Sequence, residues 1–463
     1  MDYNGRRVTI MGLGHFGGGM AAARWLARRG AAVTVTDTAD ERALAASLAT
    51  LAGVPIAALH LGGHRAEDFS HAELLVVNPA VRPGNRFLEL ARQAGARIDT
   101  EIGLFLEACP ARVIGVTGSN GKSTTAAMIA AILRAQGVRN WLGGNLGGSL
   151  LEQLEQMNAD DWVVLELSSF QLWHIGDAAP MPCVAVVTGC RPNHLDWHED
   201  FAEYVAAKQR ILDEQTPQDL AVLNTYDAEV GSWSPLVRGR QVPLPPLETI
   251  PRLLLPGRHN RINAACAAAA AWGALAHGKG HGKGVGSLLC EAPAGPFRQK
   301  TPDPFSMLGA LASFGGLPQR LEWFAVVNGR RFYNDSTATT PESTIAALEA
   351  LEGPLWLLVG GADKGCEFGP LVTALGRRAR GVALFGAVAA MLHARLAEEN
   401  AQLPTVAVAT MEEALAWCWS RSQPQDSIVL SPACSSHDQF QNFRQRGERF
   451  AVAVASLAGI HPM

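Results

Sequence analysis

The chain has 463 residues and only eight cysteines, and no two of them form a CxxC pair. Cys109, Cys183, Cys190, Cys266, Cys290, Cys366, Cys418 and Cys434 are scattered. That spacing fits reduced thiols in a cytoplasm better than a disulfide frame or a zinc site. Excess charge is missing too: 39 Lys and Arg stand against 43 Asp and Glu, for a net charge of −4. Such a balance offers nucleic acid no basic stripe, and there is no acidic tail to argue for disorder. Long apolar runs are absent. The longest, residues 264–276, is alanine-rich and too short to cross a bilayer, so no membrane insertion is expected. Residues 1–7 lead straight toward a strand, and no signal peptide is expected. Internal repeats and long low-complexity tracts are lacking as well. What remains is 48% apolar and 18% charged, enough for large buried cores and about three domains.

Short apolar runs alternate with helical ones. Residues 8–11, 32–36 and 74–77 read as strands, with a helix over 18–29 between the first two. This pattern predicts a parallel, doubly wound α/β sheet. A second α/β unit starts at Arg112, with strands at 112–116, 162–167, 184–188 and 220–223 and a helix over 201–212. A third begins near Pro318, with strands at 322–327, 355–359, 382–385 and 427–430. The Gly-, Lys- and Pro-rich stretch 277–318 reads as a surface excursion and linker.

The most specific motif is Gly115-Val116-Thr117-Gly118-Ser119-Asn120-Gly121-Lys122-Ser123, between a strand and an apolar helix. Backbone amides of such a turn wrap phosphates, and the helix N-terminus adds positive potential. Lys122 can reach the β and γ oxygens of ATP, and the Ser123 hydroxyl can ligate Mg²⁺. Val116 stands where the general pattern has glycine. A second glycine cluster, Gly12-x-Gly14-x-x-Gly17, is followed by Asp37 at the end of the next strand. Alone it is a dinucleotide fingerprint, but a UDP group satisfies the same site: a diphosphate on a helix N-terminus with an acidic acceptor nearby. Nothing downstream resembles a hydride-transfer site.

Glu166 ends an apolar strand, where a carboxylate is costly unless paired. Mg²⁺ carried by ATP would pair it; capping of the next helix is the alternative. His194 follows another strand of the same unit and reads as functional. Lys208, by helical pattern alone, is a surface lysine.

These pieces, in this order, resemble the Mur ligase family over almost the whole chain. The markers begin with Thr117 to Ser123, Gly144-Asn145-Leu146-Gly147 and Leu165-Glu166-Leu167-Ser168-Ser169-Phe170-Gln171-Leu172. They continue with His194-Leu195-Asp196, Tyr204-x-x-Ala207-Lys208 and Gly257-x-His259-Asn260-x-x-Asn263-Ala264. Downstream are Leu317-Pro318-x-Arg320-x-Glu322, Asn334-Asp335-Ser336, Gly360-Gly361-x-Asp363-Lys364, the run from Leu430 to Phe440, and Asn442-Phe443-x-x-Arg446-Gly447.

The resemblance implies three α/β domains: UDP-sugar binding in 1–108, a P-loop ATPase with a mainly parallel sheet in 109–317, and amino-acid binding in 318–463. The activity it implies is ATP-dependent addition of D-glutamate to UDP-N-acetylmuramoyl-L-alanine, in a bacterial cytoplasmic monomer. Gly14, His15, Phe16, Gly17, Asp37, Thr38, Asn78 and Asn145 would hold the UDP substrate. Gly118, Ser119, Asn120, Gly121, Lys122, Ser123, Thr124, Asn263, Arg320 and Asp335 would hold ATP. Ser123, Glu166, His194 and Lys208 would serve two Mg²⁺ sites, Lys208 as a carbamate. Lys122, Glu166, His194, Lys208 and Arg320 would carry the catalysis, and Thr339, Lys364, Ser436 and Phe443 would bind glutamate.

Three positions depart from the family pattern: Gln319 for histidine, Ala80 for glycine and Thr337 for lysine. The last removes a cation expected near the ATP phosphates or the amino acid. Ligation of L-glutamate is therefore an alternative, and folylpolyglutamate synthesis a more distant one that the Gly12 to Gly17 unit argues against. An oxidoreductase fused to an ATPase would need NAD at that same unit. A silent UDP-sugar sensor would have no need of Lys122, Glu166, His194 and Lys208 together.

Overall fold

Clusters of Val, Ile and Leu too short for helices form the buried strands of three sheets. The computed structural model describes residues 2–13, 17–176, 178–195, 197–276, 303–363 and 365–457. By contact the chain divides into two units, Met1–Pro251 with Ile262–Leu311, and Arg252–Arg261 with Ala312–Met463.

The first unit holds two sheets. One is built from β1 (Arg7–Met11), β2 (Ala32–Thr36), β3 (Ala58–His60), β4 (Leu74–Val77) and β5 (Arg97–Asp99). Its order is β3-β2-β1-β4-β5 and every pairing is parallel. All four residues of β4 are buried, as expected when both faces of a parallel sheet are covered.

The other sheet comprises β6 (Arg112–Thr117), β7 (Asn140–Gly144), β8 (Trp162–Glu166), β9 (Val184–Val187), β10 (Leu220–Leu223) and β11 (Arg240–Gln241). It is parallel throughout, in the order β11-β10-β9-β6-β8-β7. β6 lies between β9 and β8, so the strand order reverses there. Loops leaving the C-terminal ends of β6, β8 and β9 therefore open at one crevice, the usual ligand position in such sheets. A shared apolar core runs under both sheets, from Val8 and Leu26 to Leu165 and Trp233.

The second unit has one sheet: β12 (Glu322–Val327), β13 (Arg330–Asn334), β14 (Leu355–Gly360), β15 (Ala379–Phe385), β16 (Thr405–Val408) and β17 (Ser427–Leu430). Its order is β12-β13-β17-β14-β15-β16. Alternate residues of β14 serve two cores: Leu355, Leu357 and Val359 one, Trp356 and Leu358 the other.

The expected α/β class and parallel sheets are observed, with three corrections. β13 pairs antiparallel with β12, making an edge hairpin on an otherwise parallel sheet. Its signal is Asn328-Gly329, whose positive φ values of 46° and 76° suit the tight turn that joins twisted strands. Within the stretch read as a linker, Pro304–Ala312 is a helix; Asp303 caps it by accepting from the amides of Phe305 and Ser306, both at 3.1 Å. Residues 277–302 lie outside the described residues. The helix read over 201–212 ends at Gln209 and tightens into a 3₁₀ turn, Arg210–Leu212.

Candidate active site

The loop after β6 is held from several sides. Gly118 and Gly121 adopt φ of 145° and 84°, and a Cβ at either would collide, with Thr188 Oγ1 at 2.1 Å or Asn263 Oδ1 at 2.3 Å. Glycine is therefore required twice, by backbone and by space. Thr188 donates its hydroxyl to the Asn120 carbonyl at 2.6 Å, and the Ser119 amide donates to the Gly189 carbonyl at 2.8 Å. The Ser119 hydroxyl meets the Tyr204 hydroxyl at 2.9 Å. Lys122, Ser123 and the buried Thr124 then open the helix Lys122–Ala135. Its N-terminal amides and partial positive charge face the loop and form an anion site.

Glu166 ends β8 and is 2% exposed. It does not cap the next helix, Ser169–His174, which Ser168 and Gln171 close with a capping box. Its carboxylate instead accepts the Ser123 hydroxyl at 2.5 Å and the Asn145 amide group at 3.2 Å. Gly144 makes this possible, since a Cβ there would sit 2.3 Å from the Glu166 carbonyl oxygen. One carboxylate thus joins the phosphate loop to the Gly144-Asn145 loop.

Lys208 is not on the surface. Its side chain is 1% exposed, donates to the Gly118 carbonyl at 3.0 Å, and lies 4.5 Å from the center of the Tyr204 ring. Burial, with the Lys122 charge second, pushes its pKa well below the ordinary lysine range. The helical pattern misled because a lysine between Ala207 and Gln209 reads as solvent-facing; the burial comes from the P-loop packed over it, which periodicity does not show.

His194 takes a left-handed backbone, φ 56°, and sets its ring edge-on to Phe170 with centroids 4.8 Å apart. Two neighbouring residues escaped the sequence reading. His198, 2% exposed, meets the Ser169 hydroxyl at 3.0 Å, and Trp197 donates its indole N–H to the Ala80 carbonyl at 3.0 Å. Clustered aromatics in Asn193 to Phe201 were the available signal.

That Trp197 bond closes one wall of a cleft of about 920 Å³, lined by Gly12, Asp37, Thr38, Asn78, Arg82 and Trp197 among others. Asp37 shapes its floor by accepting from the Leu13 and Ala39 amides, both at 2.9 Å. Gly17, φ 91°, precedes the helix Gly18–Ala27, whereas Gly14, His15 and Phe16 lie outside the described residues. Ala80 lines this cleft without a positive φ, so its segment does not demand glycine.

In the second unit Asp335 accepts the Leu321 amide at 2.9 Å and the Ser431 hydroxyl at 2.8 Å; burial pushes its pKa up to about 7. Arg320 adds positive charge near it, a smaller effect in the opposite direction. Thr337 donates to the Gln319 carbonyl at 2.8 Å, so two of the three departures from the family pattern touch. Thr339 bonds back to Thr337, Ser436 is 2% exposed, and Phe443 accepts the Ser336 hydroxyl at its carbonyl, 2.7 Å away. Lys364 lies outside the described residues.

Three family models cover most of the chain: Mur ligase MurD-like, N-terminal domain, over residues 6–100; Mur ligase middle domain over 116–243; and Mur ligase, glutamate ligase domain over 319–434. The UDP-N-acetylmuramoylalanine–D-glutamate ligase of Symbiobacterium thermophilum is 34% identical, with 98% of each chain covered. Its counterpart in a Roseiflexus species is 36% identical over 99% of this chain and all of its own. The chain belongs to the Mur ligase family. The fold of this Mur ligase is also that of the UDP-N-acetylmuramate–alanine ligase MurC of Thermotoga maritima, at a TM-score of 0.60 and 20% identity over 97% of this chain and 99% of that one. The MurF ligase of the same organism, solved in complex with ADP, gives 0.55 at 16% identity, covering 99% and 96%. Among the described residues of this Mur ligase, no helix is long and apolar enough to cross a membrane.

Proposed function

We propose that this Mur ligase uses ATP to join D-glutamate to the alanyl carboxylate of UDP-N-acetylmuramoyl-L-alanine, a step of peptidoglycan precursor synthesis. Similarity over nearly the full length to ligases of that name supports the substrates. The chemistry is carried by one observation: Lys122, Ser123, Glu166 and Lys208 converge on one loop at the strand-order reversal. We assign 1–108 to the UDP-sugar, 109–317 to ATP and 318–463 to the amino acid; each family-model match falls inside one of these spans. Work in the cytoplasm as a monomer belongs to this reading, and sedimentation tests the oligomeric state.

A carboxylate resists attack by an amine, because its charge repels the nucleophile and oxide leaves poorly. Transfer of the γ-phosphoryl group removes both obstacles. A carboxylate oxygen forms a bond to the γ phosphorus, and the bond from that phosphorus to the bridging oxygen of ADP breaks. The neutral amine of glutamate then attacks the acyl carbon, forming C–N. The tetrahedral intermediate collapses as C–O breaks, phosphate leaves, and the nitrogen gives its proton to solvent. Lys122 and the loop amides hold the phosphates while charge shifts, as positioned cations and dipoles do. Asn145, fixed by Glu166, orients the alanyl end, and Arg320, Asn263 and Asp335 complete the ATP contacts. Asp37, Thr38, Asn78 and the Gly14 to Gly17 loop hold UDP. Thr339, Lys364, Ser436 and Phe443 receive glutamate.

The residues fit Mg²⁺, a hard cation that takes oxygen ligands. Ser123 and Glu166 already share a proton across oxygen donors, with His194 in the same unit as a third candidate. Among the described residues, no group of three His, Cys, Asp or Glu side chains is poised for a metal. A carbamate at Lys208 would add the missing anionic oxygens. Burial favours the neutral amine, and that amine can attack CO₂: N–C forms, a C=O electron pair moves to oxygen, and one proton leaves. Its remaining N–H can still donate to Gly118. Bound there, Mg²⁺ would neutralise the charge of the phosphates.

The test of this chemistry is ¹⁸O transfer from a labelled alanyl carboxylate. One ¹⁸O in each released phosphate is expected; unlabelled phosphate would remove the acyl phosphate.

A further inference from the structure

Arg446 has no exposed side-chain surface and sits beneath the segments assigned above to glutamate. Its Nε donates to the Ser336 hydroxyl at 3.1 Å, one terminal nitrogen to the Ser336 carbonyl at 2.9 Å, and the other to the Cys434 carbonyl at 3.0 Å. Ser336 in turn donates to the Phe443 carbonyl. One guanidinium therefore ties together the loop after β13, the turn after β17 and the start of the helix Phe443–Leu457. These three segments carry Thr339, Ser436 and Phe443.

Every acceptor of Arg446 in this set is neutral. Asp335 and Asp438 act on it only through space, and burial, the larger effect, lowers its pKa to about 10. A buried cation bonded to neutral carbonyls is costly by itself and gains from an anion nearby. Thr337, next to Ser336, is the position where the family pattern has a lysine. Arg446 keeps one positive charge fixed beside that position.

We infer that Arg446 is the positioning residue of the amino-acid site, bracing its three segments and supplying a fixed positive charge that favours the dicarboxylate. The inference rests on the assignment of this unit to glutamate. Only a planar fork reaches three acceptors at these angles, so lysine keeps the charge but loses the brace.

The test measures KM for D-glutamate, ATP and the UDP substrate in Arg446→Lys, Ser336→Ala and Ser436→Ala, with thermal melting of each. Loss of one charge-assisted bond predicts a roughly tenfold rise in KM for glutamate in R446K and S336A, with both nucleotide KM values within about twofold. Should R446K not fold, S336A alone decides, because it removes the Nε acceptor and the link to Phe443 while leaving the charge. Unchanged glutamate KM in R446K and S336A, with a rise in S436A, would overturn the brace alone. No rise in any variant would overturn the pocket assignment and the brace with it.

Discussion

Lys122 and Lys208 donate to the same oxygen, the carbonyl of Gly118, at 2.8 and 3.0 Å. Burial first, and repulsion from the Lys122 ammonium second, push the Lys208 pKa well below the ordinary lysine range. Packing against the P-loop thereby favours the neutral form of the Lys208 amine.

Lys208→Met should be nearly inactive yet more heat-stable near neutral pH. The unfolded chain protonates this lysine below about pH 10.4, whereas the folded chain does so only at lower pH. The unfolded state thus binds more protons across that window, and stability rises with pH there. Methionine removes that slope. Melting curves from pH 7 to 10 in CO₂-free buffer check it; identical slopes for both proteins would contradict it. Lys208→Ala should regain part of its activity with added short carboxylic acids.

Asp335 gives the opposite sign. Its pKa, raised to about 7, lies above the unfolded value near 3.9. Between those values the folded state binds more protons, so stability falls as pH rises toward 7. Asp335→Asn should raise the melting temperature at pH 8 more than at pH 5 and should weaken ATP use. An equal shift at both pH values would count against the buried-acid account.

Glu166→Gln keeps the shape of the Ser123 and Asn145 contacts and removes the charge. Activity should fall by about 100-fold or more, the scale of a lost charge in a phosphoryl-transfer site. Residual activity should need at least about tenfold more Mg²⁺. A magnesium titration of initial rates checks it, and an unshifted midpoint would remove Glu166 from the metal site.

Trp197→Phe loses one hydrogen bond, to Ala80, at the wall of the cleft. KM for the UDP substrate should rise about five- to tenfold, the scale of one such bond, while KM for ATP stays put. Parallel rises in both would mean general loosening.

The strand pattern was legible because short apolar clusters such as Leu220–Leu223 and Ser427–Leu430 are buried on both faces. The phosphate loop was legible because its glycines and Lys122 serve local geometry. Lys208 was not, since its burial depends on the Gly118 loop packing over it from elsewhere in the chain. Neither was the Thr337–Gln319 bond, which turns two apparent departures into one turn. Gln319 stands at φ 60° and offers its carbonyl to Thr337, a contact made through the backbone and invisible in side-chain identity.

The most direct test of the central claim is phosphate release from ATP with Mg²⁺ and UDP-N-acetylmuramoyl-L-alanine, comparing D-glutamate with L-glutamate. Release with D-glutamate alone, matched by the UDP-dipeptide product, is the predicted result. Release with L-glutamate alone, or with neither, would contradict it.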